Sequence, residues 1–427
     1  MGDFVMKVAV IGGGSTYTPE LTQGIVSRGS ALGISELVLQ DISPQRLEVV
    51  GGFAKRICSA GGWSGKLTCT QDLDAALADA SFCLVQLRVG GLAARLKDET
   101  IPHAFGILGQ ETTGPGGFAK ALRTVPVVLD IAERFGKLGT RDGWLVDFTN
   151  PVAIVTQALC DRGHRAVGLC NVPIGLQREV ADVFGIDPRR VELESVGLNH
   201  ASWFTNVYVD GISVTEELLA KHADRVSEET GWSEVDIRRA GAIPSYYQAF
   251  YHHPEEIFAE QLNNGVRAQE VIDTESELLE LYSDPQLTEI PELLSERGGA
   301  WYSEAALEVV EALGSEQGRN LVVNIANGEA FANLRDDLVV ECTCHVDTNG
   351  AIPLGAMPLT PQQHSLVDAL DRYQMLTIDA AVSGDRSIAL EALAANPLVL
   401  SAEVVEPLLN AILAANQKHL PAFFAGI

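Results

Sequence analysis

The chain has little positive charge: 30 lysines and arginines face 57 aspartates and glutamates across 427 residues, a formal net charge of −27. That balance argues against nucleic acid or an anionic membrane surface as a partner. An anionic small molecule stays possible only where arginines gather locally, so the place of each arginine is informative. No apolar run approaches the roughly 20 residues of a membrane span. No basic segment, apolar core and small-residue cleavage site stand in series near residue 1. The seven cysteines (58, 69, 83, 160, 170, 342, 344) are odd in number, scattered and free of any C-x-x-C pair. This excludes a thioredoxin-like motif and a cysteine-rich zinc module, and predicts a reducing, cytoplasmic setting. Also missing are a G-x-S-x-G elbow, a Walker loop and any conspicuous pair of carboxylates spaced for ordinary glycoside hydrolysis. With 46% apolar and 20% charged residues, the composition is that of a globular protein long enough for two cores.

What is present begins at K-V-A-V-I-G-G-G-S-T-Y-T-P-E, residues 7–20. An apolar β-branched run, three glycines and then Thr18-Pro19-Glu20 read as strand, tight turn and helix start. That geometry brings a pyrophosphate to free backbone N–H groups, with Gly12, Gly13, Gly14, Ser15 and Thr16 forming the loop. The third glycine of G-x-G-x-x-G is replaced by Tyr17, and a simple tight turn is the alternative. A second strand over 36–40 ends in Asp41, where a carboxylate accepts hydrogen bonds from both ribose hydroxyls and repels a 2′-phosphate. NAD is therefore favoured over NADP.

Strands and helices then alternate: helix 47–57, strand 66–70, helix 72–78, strand 82–87, helix 118–136, strand 144–148, helix 152–159 and strand 165–169. Repeats of this length predict an α/β fold, a Rossmann-type doubly wound parallel sheet over residues 1–172. A mixed α+β substrate- and metal-binding domain over 173–427 completes it. A long loop is expected over 96–117, an amphipathic helix over 267–282 and a helix from Thr360-Pro361 to Ser383. Ligands of such sheets sit beyond the carboxyl ends of the strands. The sequences there are Arg88-Val89-Gly90-Gly91, Thr149-Asn150-Pro151, Cys170-Asn171 and, after a later strand, Asn199-His200.

Cys170 and His200 form a possible metal pair, because thiolate and imidazole with open positions suit a divalent ion that also holds substrate hydroxyls. Their spacing matches no short zinc signature, and a core cysteine with a hydrogen-bonded histidine is the alternative. Tyr246, Tyr247 and Tyr251 form an aromatic cluster in which core packing competes with a basic phenol. The His252-His253 doublet reads as a solvated helix face. Arg88, Arg95, Arg123, Arg267 and Arg297 are each ordinary surface or ion-pair residues singly, and together suggest an anion clamp.

The motifs I-G-G-G-S-T-Y-T-P-E-L, R-V-G-G-L, G-Q-E-T-T-G-P-G-G, F-T-N-P, G-L-C-N-V-P-I-G, G-L-N-H, E-R-G-G-A-W-Y-S and N-P-L-V run in order along nearly the whole chain. Together they resemble the NAD-dependent glycosidases of glycoside hydrolase family four, and most nearly its 6-phospho-β-glucosidases. The resemblance implies a lactate/malate dehydrogenase-like architecture. It also implies oxidation of the sugar C3 hydroxyl by NAD⁺, removal of the C2 proton by a tyrosine, elimination of the C1 aglycone, addition of water and return of the hydride. Residue by residue, it gives Cys170 and His200 as ligands of Mn²⁺ or another divalent metal. Tyr247 becomes the base, with Tyr246 its competitor. Asn150 and Asn199 contact sugar hydroxyls, Arg95 and Arg267 bind phosphate with Arg88 beside them, and Glu111 joins the substrate set. Asn171 stands where α-specific members carry aspartate, which favours a β-glycoside. The implied substrate is a phosphorylated disaccharide or glucoside, and the implied assembly a homodimer or homotetramer. Two other readings of the residues are an NAD-dependent 2-hydroxy-acid dehydrogenase, which gives Cys170 no role, and a non-catalytic nucleotide-binding protein, which uses neither the metal pair nor the tyrosine.

Overall fold

A computed structural model describes residues 6–298, 301–328, 330–355 and 358–425. Six strands of the first half are β1 (Met6–Ile11), β2 (Ile34–Gln40), β3 (Lys66–Thr70), β4 (Phe82–Val85), β5 (Trp144–Asp147) and β6 (Ala166–Gly168). They pair in parallel in the order β3-β2-β1-β4-β5-β6. This is the order of the dinucleotide-binding sheet, whose crevice opens where the chain reverses direction between β1 and β4. The central strands are short and buried on both faces, as their continuous apolar runs require.

The later strands are β7 (Val191–Leu198), β8 (Ala201–Val209), β9 (Ile212–Ser213), β10 (Ile243–Pro244), β11 (Arg319–Ala326), β12 (Val339–Asp347) and β13 (Gly350–Pro353). β11, β12 and β13 add antiparallel to β6, so the parallel sheet continues into a nine-stranded one. The order β10-β8-β7 forms a second sheet, joined by β9 on β8. Thr343 of β12 ties it to the first: its hydroxyl accepts from Ser195 N at 3.0 Å and donates to Leu193 O at 2.6 Å. One large core runs under the nine-stranded sheet, and a smaller one, around Phe204 and Ile237, lies under the second.

Helices fall where capping and periodicity place them. Pro361–Ser383 opens with a full capping box of Thr360 and Gln363 and stops at Gly384, which has φ +69°. Arg267–Tyr282 has the bounds read from its apolar spacing. Residues 96–117 are not one long loop. A helix spans Gly91–Thr100, a 3-10 turn Ile101–Phe105, and a long helix begins at Gly114. Gly90-Gly91 and the polar L-K-D-E-T stretch hide the first helix, whose Asp98 and Glu99 are buried on partners far away in sequence. The His252-His253 pair lies at the surface, His252 exposed, with both rings against Trp232 at centroid distances of 5.4 Å. Among the described residues, no helix is long and apolar enough to cross a membrane.

Candidate active site

The glycine turn after β1 is shaped by its neighbours. Gly12 has φ +88°, and a Cβ there would lie 2.8 Å from Gln86 O of the crossing strand end. A Cβ on Gly13 would lie 2.8 Å from Leu39 Cβ. Only glycine lets this backbone lie so close to β2 and β4, leaving the loop face open to a ligand. Asp41, just past β2, accepts from Gly14 N and Ser43 N at 2.9 Å each, one bond per carboxylate oxygen, and keeps lone pairs for ribose hydroxyls. The helix Thr18–Arg28 starts immediately after the loop, with Pro19 in its first turn. A dinucleotide fits this cradle. Thr16 is buried, and the Tyr282 hydroxyl donates to its carbonyl at 2.9 Å.

At the carboxyl ends of β4, β5 and β6 the predicted residues converge. Glu111 sits among three cations: Arg88 donates to it, Lys120 Nζ lies at 2.9 Å, and Arg95 at 3.3 Å. Against the penalty of burial, Arg88, Lys120 and Arg95 hold the Glu111 carboxyl well below the usual carboxylate range. Burial, then the Arg88 charge, push the Lys120 ammonium down to about 7. Arg95 also donates to Glu99 Oε1 at 2.7 Å, and Glu99 Oε2 accepts from Ala268 N at 2.7 Å. Glu99 thus joins the arginine cluster to the amino end of the Arg267–Tyr282 helix. Arg267 itself lies outside the cluster. Its side chain is half exposed, paired with Glu270 and with Glu296 O at 2.5 Å.

The second group lies beside the first. Cys170 precedes the helix Asn171–Phe184, and His200 sits in the turn between β7 and β8 at φ +66°. His200 Nδ1 is 3.1 Å from Thr112 Oγ1, next to Glu111, which leaves Nε2 as the ring's other donor atom. Burial, then the Lys120 charge, lower the imidazole to about 3, so it stays neutral and ligand-competent. The Tyr247 ring stacks on His200 with centroids 3.5 Å apart and planes 8° from parallel. Burial raises the Cys170 thiol, Glu341 adds to that, and burial followed by Cys170 raises the Tyr247 phenol. Asn199 Nδ2 donates to Glu341 Oε2 at 2.7 Å, which turns its carbonyl away from that bond. Asn150, next to the cis peptide bond with Pro151, has a buried Oδ1 with no hydrogen-bond partner.

Among the described residues, no group of three or more His, Cys, Asp and Glu is placed to hold a metal ion. Cys170 and His200 therefore fit a divalent ion only if water or substrate oxygens fill its other positions, and the orphaned Asn150 acceptor suits a hydroxyl donor.

Of the five arginines, Arg123 belongs elsewhere: it is buried with Asp98 at 2.6 Å and Asn416 at 2.8 Å, far from open space. Arg297 lies over the Tyr17 ring at 4.6 Å and pairs with Glu275 at 2.9 Å, near the nucleotide loop. Tyr251 is partly buried and packed against the core, while Tyr246 is 46% exposed. Sequence reasoning missed Glu99, Thr112, Lys120 and Glu341. A lone lysine in the small-residue run F-A-K-A-L, and a lone acid in V-V-E-C-T-C, were the available signals.

The family model described as Family 4 glycosyl hydrolase matches residues 7–186, and that of its C-terminal domain matches 195–399. The chain is 39% identical to the "Probable 6-phospho-beta-glucosidase" of Bacillus subtilis over 98% of each. It is similar in structure to the 6-phospho-beta glucosidase of Thermotoga maritima solved with manganese, NAD⁺ and glucose 6-phosphate, at TM-score 0.90 and 34% identity, over 97% of this chain and 99% of that one. The malate dehydrogenase of Plasmodium falciparum, 14% identical, shares the fold at TM-score 0.57 over 88% of this chain and 99% of that one.

Proposed function

The chain belongs to family 4 of the glycosyl hydrolases, and from that premise we propose that it hydrolyses 6-phospho-β-glucosides with NAD and a divalent metal. The observation that carries this reading is the stacking of Tyr247 on His200 at 3.5 Å, which sets a proton acceptor against one of the two metal donors. When bound, NAD supplies reversible oxidation at the sugar C3 and the cation supplies Lewis-acid polarisation of neighbouring oxygens, which acidifies the C2 hydrogen.

The chain's own groups do the rest. Gly12–Thr16 and Asp41 hold the dinucleotide, while Cys170 and His200 supply the two protein donors for the metal. Arg88 and Arg95, held by Glu111 and Glu99, are the groups for the substrate phosphate, and Arg267, outside their cluster on the helix that Glu99 fixes in place, is the further phosphate contact. Glu111 keeps these cations together and stays ionised, because three of them surround it. The unpartnered Asn150 Oδ1 and the free carbonyl of Asn199 accept from sugar hydroxyls. Asn171, at the first turn after Cys170, completes the β-glycoside side of the site. Tyr247 takes the C2 proton as its phenolate, which the charge of a bound cation would have to favour against the burial that raises the phenol, and loss of the C1 aglycone follows as an elimination.

A 2-hydroxy-acid dehydrogenase would leave the thiol–imidazole pair and its stacked tyrosine without work. In this reading residues 1–172 form the nucleotide-binding domain and 173–427 the substrate domain. The seven free cysteines suit a cytoplasmic location, and the expected assembly is a homodimer or homotetramer. The deciding assay is a chromogenic 6-phospho-β-glucoside with NAD⁺ and Mn²⁺ under reducing conditions. Release of the chromophore only when all three are present supports the proposal, and equal release from the non-phosphorylated glucoside removes it.

A further inference from the structure

The motif G-Q-E-T-T-G-P-G-G, residues 109–117, brings Glu111 to its cations and Thr112 to His200, and its backbone is held on three sides. Two sides are closed by close backbone approach at glycine. A Cβ on Gly109 would run into the Glu99 carbonyl of the helix Gly91–Thr100, and one on Gly117 would lie 2.5 Å from the Thr112 carbonyl oxygen. The third side is closed by one side chain from far along the sequence. Gln261 donates from Nε2 to Gly109 O at 2.7 Å and accepts at Oε1 from Gly109 N at 2.8 Å, the pair of bonds a neighbouring antiparallel strand would make. Gly109 is buried, so both of its backbone groups depend on that amide. His103 Nε2, 3.0 Å from the same Oε1, braces the amide from its other edge.

Gln261 stands on the helix Pro254–Asn264, none of whose residues is buried. Ile257 and Phe258 pack partly against the core, Phe258 edge-on to His103 at 5.4 Å. Among the described residues, every side-chain hydrogen bond from this helix to another element comes from Gln261. The helix lies between Tyr247 and Arg267, so this one amide ties the stretch that carries the base to the segment that carries Thr112. The consequence reaches the ring of His200. The Thr112 hydroxyl has one proton, which it gives to Gln110 Oε1 at 2.8 Å, so it accepts from His200 Nδ1 at 3.1 Å. The imidazole then presents an unprotonated Nε2, with Tyr247 stacked on its face at 3.5 Å. Gln110 Oε1 also accepts from Thr113 N at 2.8 Å, which makes 110–113 one turn hung from Gly109.

On the phospho-glucosidase reading, we propose that Gln261 is a positioning residue for removal of the C2 proton. By pinning Gly109 it fixes the 110–113 turn, and through Thr112 the tautomer and angle of the His200 ring on which Tyr247 stacks. Glu111 depends on it less, since Arg88, Lys120 and Arg95 surround that carboxylate. The two tasks of the motif therefore separate. The phosphate cluster stands on its own charges, and the geometry of the base stands on Gln261.

The test is Gln261→Met, which keeps the reach of the side chain and removes both bonds, with Gln261→Ala as the second variant should the first fold poorly. The probes are the 4-nitrophenyl β-glucoside 6-phosphate, NAD⁺ and Mn²⁺. Amide hydrogen exchange, read by mass spectrometry, should quicken in peptides covering 109–113 and stay at the parent rate over the nucleotide loop 12–16. The value of kcat should fall about ten- to a hundredfold, the size expected of a slightly misplaced base, with KM far less affected. The isotope effect on kcat from deuterium at the substrate C2 should grow, because proton removal becomes the slower step. Loss of folded enzyme alone would lower the rate and leave that isotope effect unchanged. Unaltered exchange over 109–113 would overturn the latch whatever the activity, and faster exchange with parent kcat and isotope effect would overturn its part in the reaction. A rise in KM with kcat intact would also overturn it, placing Gln261 with the phosphate cluster. A parent enzyme inactive on the phosphorylated probe removes the glycosidase reading and this role with it, and exchange over 109–113 then judges the latch alone.

Discussion

Glu99→Ala is the substitution whose consequences the structure specifies most fully. Glu99 is 2% exposed and serves two donors at once, Arg95 Nε and Ala268 N, each at 2.7 Å. Truncation leaves the Ala268 N–H, on a fully buried residue, without an acceptor, which costs about 1–3 kcal/mol. It also removes the nearer of two carboxylates from Arg95, whose side chain is 11% exposed and whose remaining partner Glu111 lies at 3.3 Å. Breaking a buried pair on one side brings the total to about 3–5 kcal/mol. For a cooperative unit of this length the unfolding entropy is roughly 0.9 kcal/mol/K, so Tm should fall by about 3–6 °C. Calorimetry measures that. Because Glu99 fixes both Arg95 and the start of the helix bearing Arg267, KM for the phosphorylated substrate should rise about tenfold, one lost contact's worth. NAD⁺ affinity should hold, since the glycine loop is elsewhere. Glu99→Gln should lie between parent and alanine variant. A Tm within about 1 °C of the parent together with an unchanged KM would refute the reasoning.

Cys170→Ser should abolish turnover while NAD⁺ titration stays normal, and chelation of the parent enzyme should inactivate it reversibly, with Mn²⁺ restoring activity. Arg267→Ala should raise KM for phosphorylated substrate with little change in kcat. Its half-exposed side chain puts the loss at the low end, about 1–2 kcal/mol, readable in steady-state kinetics. Burial raises the Asp147 carboxyl to about 8. The folded state then keeps a proton that the unfolded state sheds, so its stabilisation is full below about pH 4 and is lost as pH rises through about 8. Asp147→Asn should flatten that decline in urea midpoints between about pH 5 and 8.

The parts of the site legible in the sequence are those set by local backbone chemistry. A triple-glycine turn after an apolar run, an acid closing the next strand and residues following strand ends carry their signals within a few positions, and the helices Arg267–Tyr282 and Pro361–Ser383 announce themselves by period and cap. What stayed hidden depends on long-range pairing. Glu99 earns its place through Ala268, 169 residues away, and Glu341 through Asn199, 142 away. Lys120 reads as a surface lysine until a long helix buries it beneath Glu111. The attachment of β11–β13 to β6 likewise rests on a single antiparallel pairing, Asn324 with Gly168, that no local pattern encodes. Tyr246 and Tyr247 are adjacent in sequence, and only the stacking on His200 separates their surroundings.

The most direct measurement follows the hydrogen at C2. A displacement at C1 leaves that hydrogen in place, whereas C3 oxidation followed by elimination must remove it. Turnover of a 6-phospho-β-glucoside in D₂O should therefore yield glucose 6-phosphate carrying deuterium at C2, by NMR or mass spectrometry. Tyr247→Phe should suppress that label far more than Tyr246→Phe. Product formed at the parent rate with protium retained at C2 would contradict the elimination account, and loss of the label in Tyr246→Phe alone would move the base by one residue.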